Sequence, residues 1–74
     1  MNEQKPSVGR VVHYVPRDAD PPHNNAEVLP AIITRVWSDT CVNLRVLNDE
    51  IYDFWVTSAT QGAGPREWTW PPRV

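Results

Sequence analysis

The chain has one cysteine, one lysine, three glycines and no apolar run approaching the roughly 18 residues of a membrane-spanning helix. A lone thiol, Cys41, forms no internal disulfide and builds no cysteine-based zinc site. It reads as a small hydrophobe in a strand. There is no excess of positive charge either. Seven Lys and Arg stand against nine Asp and Glu, for a net charge of −2. That weighs against a nucleic-acid binder working by bulk phosphate neutralisation. At 74 residues the chain is too short for a TIM barrel, a kinase or a dinucleotide-binding unit with a substrate domain. The opening Met1-Asn2-Glu3-Gln4-Lys5-Pro6 lacks the apolar run of a secretion signal, so the expected compartment is the cytoplasm of the producing cell.

What is present is 41% hydrophobic residues, 22% charged residues, eight prolines and four tryptophans. Small domains without disulfide or metal staples lie close to the stability limit, because too little of their surface is buried. A dense aromatic core and homo-oligomerisation are the two remaining remedies, and both are expected.

Hydrophobic alternation predicts an all-β chain. Residues 1–7 read as a flexible arm and 8–74 as one domain. Val8–Val15 (V-G-R-V-V-H-Y-V) is rich in β-branched and aromatic residues and is closed by Pro16. Pro16–Pro30 carries four prolines, Asp18, Asp20, Glu27 and the Asn24-Asn25 pair, and reads as a long irregular loop. Ala31–Trp37 is the second strand, Ser38–Thr40 a turn, and Cys41–Leu47 the third strand. In the third, Val42, Leu44 and Val46 face one way, while Asn43 and Arg45 face the other. Asn48–Glu50 is the next turn. Ile51–Thr57 is the fourth strand, with Tyr52, Phe54 and Val56 on one face and Asp53, Trp55 and Thr57 on the other. Ser58–Glu67 reads as a loop, and Trp68-Thr69-Trp70 as a short last strand stopped by Pro71. No segment holds a 3.6-residue period over three turns, so no helix beyond one turn is expected. Five short antiparallel strands, one long first loop and tight hairpins predict a small SH3-like barrel. An open meander that closes by dimerising is the other architecture the pattern allows.

The chemistry these residues offer points to binding. His13 and His23 are ten positions apart with Asp18 and Asp20 between them, which is unlike the close pairs that hold zinc, and no metal or other cofactor is expected. Ser58 and Cys41 are the nucleophiles available and His13 the base, but neither a G-x-S-x-G nor a Cys-His signature is present. Asp49 and Glu50, adjacent in a turn, point apart. The expected protein is not an enzyme. Arg45, Asn43 and Trp55, on one face of neighbouring strands, form the kit for a flat anionic ligand: an indole stacks, a guanidinium grips phosphate and an amide reads polar edges. Trp68, Trp70, Thr57 and Ser58 are expected to form an adjoining wall, with Arg10 and Tyr14 as contributors from the first strand. Six of the seven cations are Arg; GC-rich coding and a preference for bidentate, stacked sites both produce this.

The stretch V-W-S-D-T-C-V-N-L (Val36–Leu44), the later Val56-Thr57-Ser58 and the closing G-A-G-P-R-E-W-T-W-P-P (Gly62–Pro72) resemble a group of small phage-encoded β-rich proteins. Their G-R-x-V-H-Y-like first strand is matched by Gly9, Arg10, Val12, His13 and Tyr14. The likeness covers most of Val8–Arg73, except the Pro-rich first loop, which is unusually long here. Compact phage proteins of this size include anti-defence sponges. By analogy, the resemblance implies sequestration of a nucleotide-derived signal, cyclic nucleotide or ADP-ribose in type, in a pocket between subunits. The alternative is an SH3-like interaction module that binds and inhibits a host protein.

Overall fold

The strands form where apolar and polar residues alternate, and they end where proline, glycine or a side-chain hydrogen bond claims the backbone. The computed structural model describes residues 4–72. It contains β1 (Val11–Tyr14), β2 (Leu29–Val36), β3 (Cys41–Val46), β4 (Phe54–Thr60) and β5 (Trp68–Thr69). They pair antiparallel in the order β4-β3-β2-β1-β5. The chain is all-β, a curled half-barrel of the small SH3-like kind. No helix among the described residues is long and apolar enough to cross a membrane.

The two sheet edges meet at one end. Gln61, just past β4, bridges to Trp68, and the Gly62 N–H donates to the Trp68 carbonyl at 2.9 Å. The indole of Trp68 donates through Nε1 to the Thr40 carbonyl at 3.1 Å. The concave side holds Val12, Tyr14, Leu29, Ala31, Ile33, Val42, Leu44, Val46, Val56, Ala59 and Trp68. Val42, Leu44 and Val46 point inward as their alternation requires.

Several boundaries differ from the sequence expectation. β1 begins at Val11 rather than Val8. Gly9 takes φ 95°, a left-handed conformation open to glycine, and Arg10 N–H closes a turn onto the Ser7 carbonyl. Of the expected arm, residues 1–3 lie outside the described residues, and Pro6 is buried. β2 starts at Leu29 and runs through Pro30. Pro30 sits on the last rung, accepting from Leu47 N–H at 2.9 Å, so its missing donor forfeits only the reciprocal bond of that rung.

β4 shows the largest shift. Ile51 and Tyr52 belong to the β3–β4 connection and are 84% and 75% exposed. Tyr52 therefore does not share the core with Phe54 and Val56. Asn48 and Asp53 close that connection. Asn48 N–H donates to Asp53 Oδ1 at 2.9 Å, and Asn48 Nδ2 donates to the Tyr52 carbonyl at 3.1 Å. At its other end β4 runs on through Ser58 to Thr60, where a loop was expected. The register passes from Leu44↔Val56 to Val42↔Ala59, so Thr57 and Ser58 together oppose Asn43. This is a β-bulge, with Ser58 at φ 55°. The extra residue resets the alternation and turns Ala59 inward.

The 15–28 connection is irregular, as its prolines require, yet it is tied down. Tyr14 hydroxyl donates to Asp20 Oδ2 at 2.6 Å, and Arg17 donates to both carboxylate oxygens through its backbone N–H and Nε. Asn24 and Asn25 take left-handed φ of 55° and 59°, which asparagine tolerates. Asn24 Nδ2 reaches Asp49 Oδ2 at 3.0 Å, and Asn48 Nδ2 reaches the Pro22 carbonyl at 2.8 Å. Burial, reinforced by the hydrogen bond to Asp20 and its charge, holds the Tyr14 hydroxyl well above the ordinary tyrosine range. For Asp20, burial pulls upward. The bonds from Tyr14 and from the Arg17 backbone and guanidinium outweigh it and hold the carboxyl below its usual value.

Three outcomes follow from these contacts. Trp68→Ala removes the largest fully buried side chain. The expected cost of about 3–5 kcal/mol is comparable to the whole stability a single small core supplies, so circular dichroism should show an unfolded chain. Trp55→Ala should stay within about 0.5 kcal/mol of wild type. The Asp20 carboxyl gives up its proton at lower pH in the folded chain than in the unfolded one. On acidification the unfolded chain therefore binds the proton first, and stabilisation present at neutral pH fades as pH falls below about 4. Urea titrations from about pH 6 to pH 3 should show a steeper loss for wild type than for Asp20→Asn. Parallel curves would remove Asp20 from the account of acid stability.

Candidate ligand-binding face

The convex side of the sheet carries the polar and aromatic residues that alternation turns away from the core. Register places Val11, Ile32, Arg45 and Trp55 in one row across β1, β2, β3 and β4. Direct cross-strand neighbours have Cβ atoms about 4.5–5.5 Å apart. Arg45 and Trp55 are thus adjacent, as expected from sequence. Both are exposed, Trp55 to 56%.

One step along β3, roughly 7 Å from Arg45, lies Asn43. It is a buried polar residue at 7% exposure. Its Oδ1 accepts from Trp37 Nε1 at 2.9 Å, Thr57 Oγ1 at 3.1 Å and the Ser58 backbone N–H at 2.8 Å. A bulge lies on each side of it. On β2 the register steps from Ile33↔Leu44 to Arg35↔Asn43, leaving Thr34 as the extra residue. On β4 the extra residue falls at Thr57-Ser58. Asn43 was expected to read a ligand with its amide; its carbonyl oxygen is occupied by three donors within the fold. Thr57 and Ser58 are engaged with it, and the Thr57 carbonyl also accepts from Arg66 Nη2 at 2.7 Å.

The expected wall of Trp68 and Trp70 is not on this face. Trp68 is fully buried, and Trp70 packs against the core, edge to face with Trp68 at 5.3 Å. The strand order sets β5 at the opposite edge from β4, and the two meet only beyond the end of β4 far from Trp55. Arg10 belongs with this second cluster, its guanidinium 5.0 Å from the Trp70 ring. Tyr14 is a core residue with its hydroxyl on Asp20, so it offers nothing to an external ligand.

The structure adds a pair that the expected site omitted. Arg35 lies over the Trp37 ring, with Cζ 4.2 Å from the centroid, and Trp37 is 53% exposed. Arg35 and Trp37 are two positions apart, so strand periodicity alone could have placed them together. The face thus carries one guanidinium over an indole, Arg35 on Trp37, and a second guanidinium and indole, Arg45 and Trp55, that are cross-strand neighbours. Among the described residues the ion pair present is Arg17–Asp20, and neither Arg35 nor Arg45 has a carboxylate partner. Indole faces stack on planar rings, and unpaired guanidiniums attract anions.

The residues weighed for catalysis are dispersed. His13 is on β1, Cys41 opens β3 half-buried, and Ser58 is in the β4 bulge. His23 lies in the 15–28 loop with Nδ1 3.0 Å from the Pro21 carbonyl. Among the described residues no group of three or more His, Cys, Asp or Glu gathers where a metal could sit. Compared with protein-family models, with curated proteins and with solved structures, the chain matches none.

Asn43→Ala should lower stability by about 1–3 kcal/mol, because it removes the acceptor of the part-buried Ser58 N–H, while the Thr57 hydroxyl keeps Ser58 Oγ and Trp37 Nε1 recovers water. Asn43→Asp retains an acceptor and should lose less. Urea denaturation followed by tryptophan fluorescence measures both, and a neutral Asn43→Ala would mean the bulges hold without this oxygen.

Proposed function

We propose that the chain is a non-enzymatic binding protein of phage anti-defence type. In this reading it acts in the host cytoplasm by sequestering a flat, anionic, nucleotide-derived signal on the convex sheet face. The observation that carries this is the juxtaposition of two exposed indoles with two guanidiniums that have no carboxylate partner among the described residues, Trp37 with Arg35 and Trp55 with Arg45. Base or ring stacking on an indole contributes about 1–3 kcal/mol, and a guanidinium meets phosphate with two parallel hydrogen bonds. Sequestration needs affinity and stoichiometry, with no bond made or broken. The face is open sheet, so a second copy of the chain supplies the other wall of the pocket.

A second reading is inhibition of a host protein. Val11 and Leu47 are exposed alongside Trp37 and Trp55, and Trp and Arg anchors in apolar surroundings are the residues that dominate protein interfaces.

The test is a titration with cyclic mono- and dinucleotides and ADP-ribose derivatives, read by quenching of indole fluorescence and by thermal shift. The expected result is a saturable response from at least one of them, lost in Arg45→Ala and Trp55→Ala variants that melt like wild type. No response at about 1 mM of any compound ends the nucleotide reading, since even weak ligands raise stability by mass action. A stoichiometric host protein captured by wild type and released by Trp55→Ala would establish the second.

A further inference from the structure

A separate concavity lies between the 15–28 loop and the β3–β4 connection. It is a cleft of about 200 Å³ lined by Pro21, Pro22, Asn48, Glu50, Ile51 and Tyr52. That volume is below the roughly 300 Å³ at which pockets for whole small molecules begin, so it suits one side chain. Three of its features limit what that side chain can be. The walls are apolar and aromatic, with Ile51 and Tyr52 standing largely in solvent. Asn48 Nδ2 is spent on the Pro22 and Tyr52 carbonyls, and its Oδ1 is buried with no donor among the described residues. The carboxylates differ in availability. Asp49 accepts from Asn24 and Asp53 from the Asn48 backbone, while Glu50 is exposed with no hydrogen bond or ion pair among the described residues.

We propose that this cleft binds a single basic side chain, Lys or Arg, presented by a partner polypeptide. The aliphatic stem lies against Pro21, Pro22 and Tyr52, as long cationic side chains cover apolar surface while their heads stay polar. The charged head pairs with Glu50. A second N–H of the same head reaches Asn48 Oδ1 as the exposed Ile51 and Tyr52 side chains give way. A neutral aliphatic group fills the walls but leaves both oxygens without a donor, and an acidic group is repelled by Glu50, Asp49 and Asp53. Asn24–Asp49 and Asn48–Pro22 tie the two loops together, so the loop framework of the cleft is held before its ligand arrives and the exposed Ile51 and Tyr52 side chains are what adjusts. This site is independent of the convex face, where the charges are of the opposite sign.

The experiment uses the full ¹⁵N-labelled chain and four capped tripeptides, acetyl-Gly-X-Gly-amide with X as Lys, Arg, norleucine or Glu. Amide spectra should show saturable shifts at Ile51, Tyr52 and the Asn48 side chain for Lys and Arg. Norleucine should bind about threefold or more weakly, the size of a partly exposed ion pair, and Glu should give no shift. Glu50→Gln, a change in an exposed turn, should reduce Lys affinity by a similar factor while leaving the Trp37 and Trp55 indole signals in place. Equal binding of norleucine and Lys, an unaltered Glu50→Gln, or no saturable shift up to about 20 mM peptide would each overturn the proposal. Nucleotide titration at Trp37 and Trp55 reads the other site, so either assignment can fail without the other.

Discussion

One oxygen holds the curvature of this sheet. Asn43 Oδ1 gathers three donors, from the indole beyond β2, from the Thr57 hydroxyl and from the Ser58 backbone. A flat sheet of five short strands could not wrap around so few apolar residues, and bulges supply local bend and twist. Two of them, at Thr34 and at Thr57-Ser58, stand on the strands either side of Asn43. The Ser58 bulge turns its part-buried backbone N–H to a partner other than the ladder, and such a donor is satisfied within the fold. An apolar residue at 43 would leave that group orphaned at the point where β4 must bend. The same oxygen sets the Trp37 indole and, through it, the surface on which Arg35 rests. Folding and the candidate face thus share an atom.

The alternation in C-V-N-L-R-V was enough to read β3, its inward valines and the Arg45–Trp55 neighbourhood, because a period of two needs no knowledge of tertiary structure. It failed where an extra residue breaks the period. Ser58 shifts the parity of everything after it, and nothing in T-S-A-T signals a bulge, since bulges arise from the pairing of two strands. Ile51 and Tyr52 have strand propensity and continue the alternation of Phe54 and Val56. They lie outside the strand because Asn48 and Asp53 form a closed turn through side-chain bonds. Asn43 was read as facing outward, which its parity supports. That three donors would converge on it required coordinates.

The four indoles divide according to where the chain curls. Trp68 lies at the seam where β5 returns to the end of β4, with solvent excluded on all sides and Nε1 satisfied by Thr40. Trp70, two residues on, packs edge to face against it and is covered by Arg10. Trp37 and Trp55 are on the convex side, where no second layer covers the sheet. A barrel of this size fills its interior with side chains from its own strands, and Tyr14 and Trp68 already take the largest share of that volume. The exposure of the other pair is therefore a consequence of size, and their alignment with Arg35 and Arg45 is what gives that exposure chemical meaning.

Net charge conceals how the charges are placed. The acids of the 15–28 loop and of the 47–53 connection are brought to one end of the barrel by the contacts that join those two segments. Arg35 and Arg45 stand on the convex sheet without carboxylate partners among the described residues. A balance of −2 argues against a long polyanion, which needs many cations in a line. It does not argue against one phosphate on one face, because at physiological ionic strength a charge is felt over only about 8 Å. Within that distance a ligand on the convex face meets guanidinium and indole, while a ligand at the loop end meets Glu50 and its neighbours. Two surfaces of opposite preference can therefore coexist on a chain this short, each defined by what lies within one screening length of it.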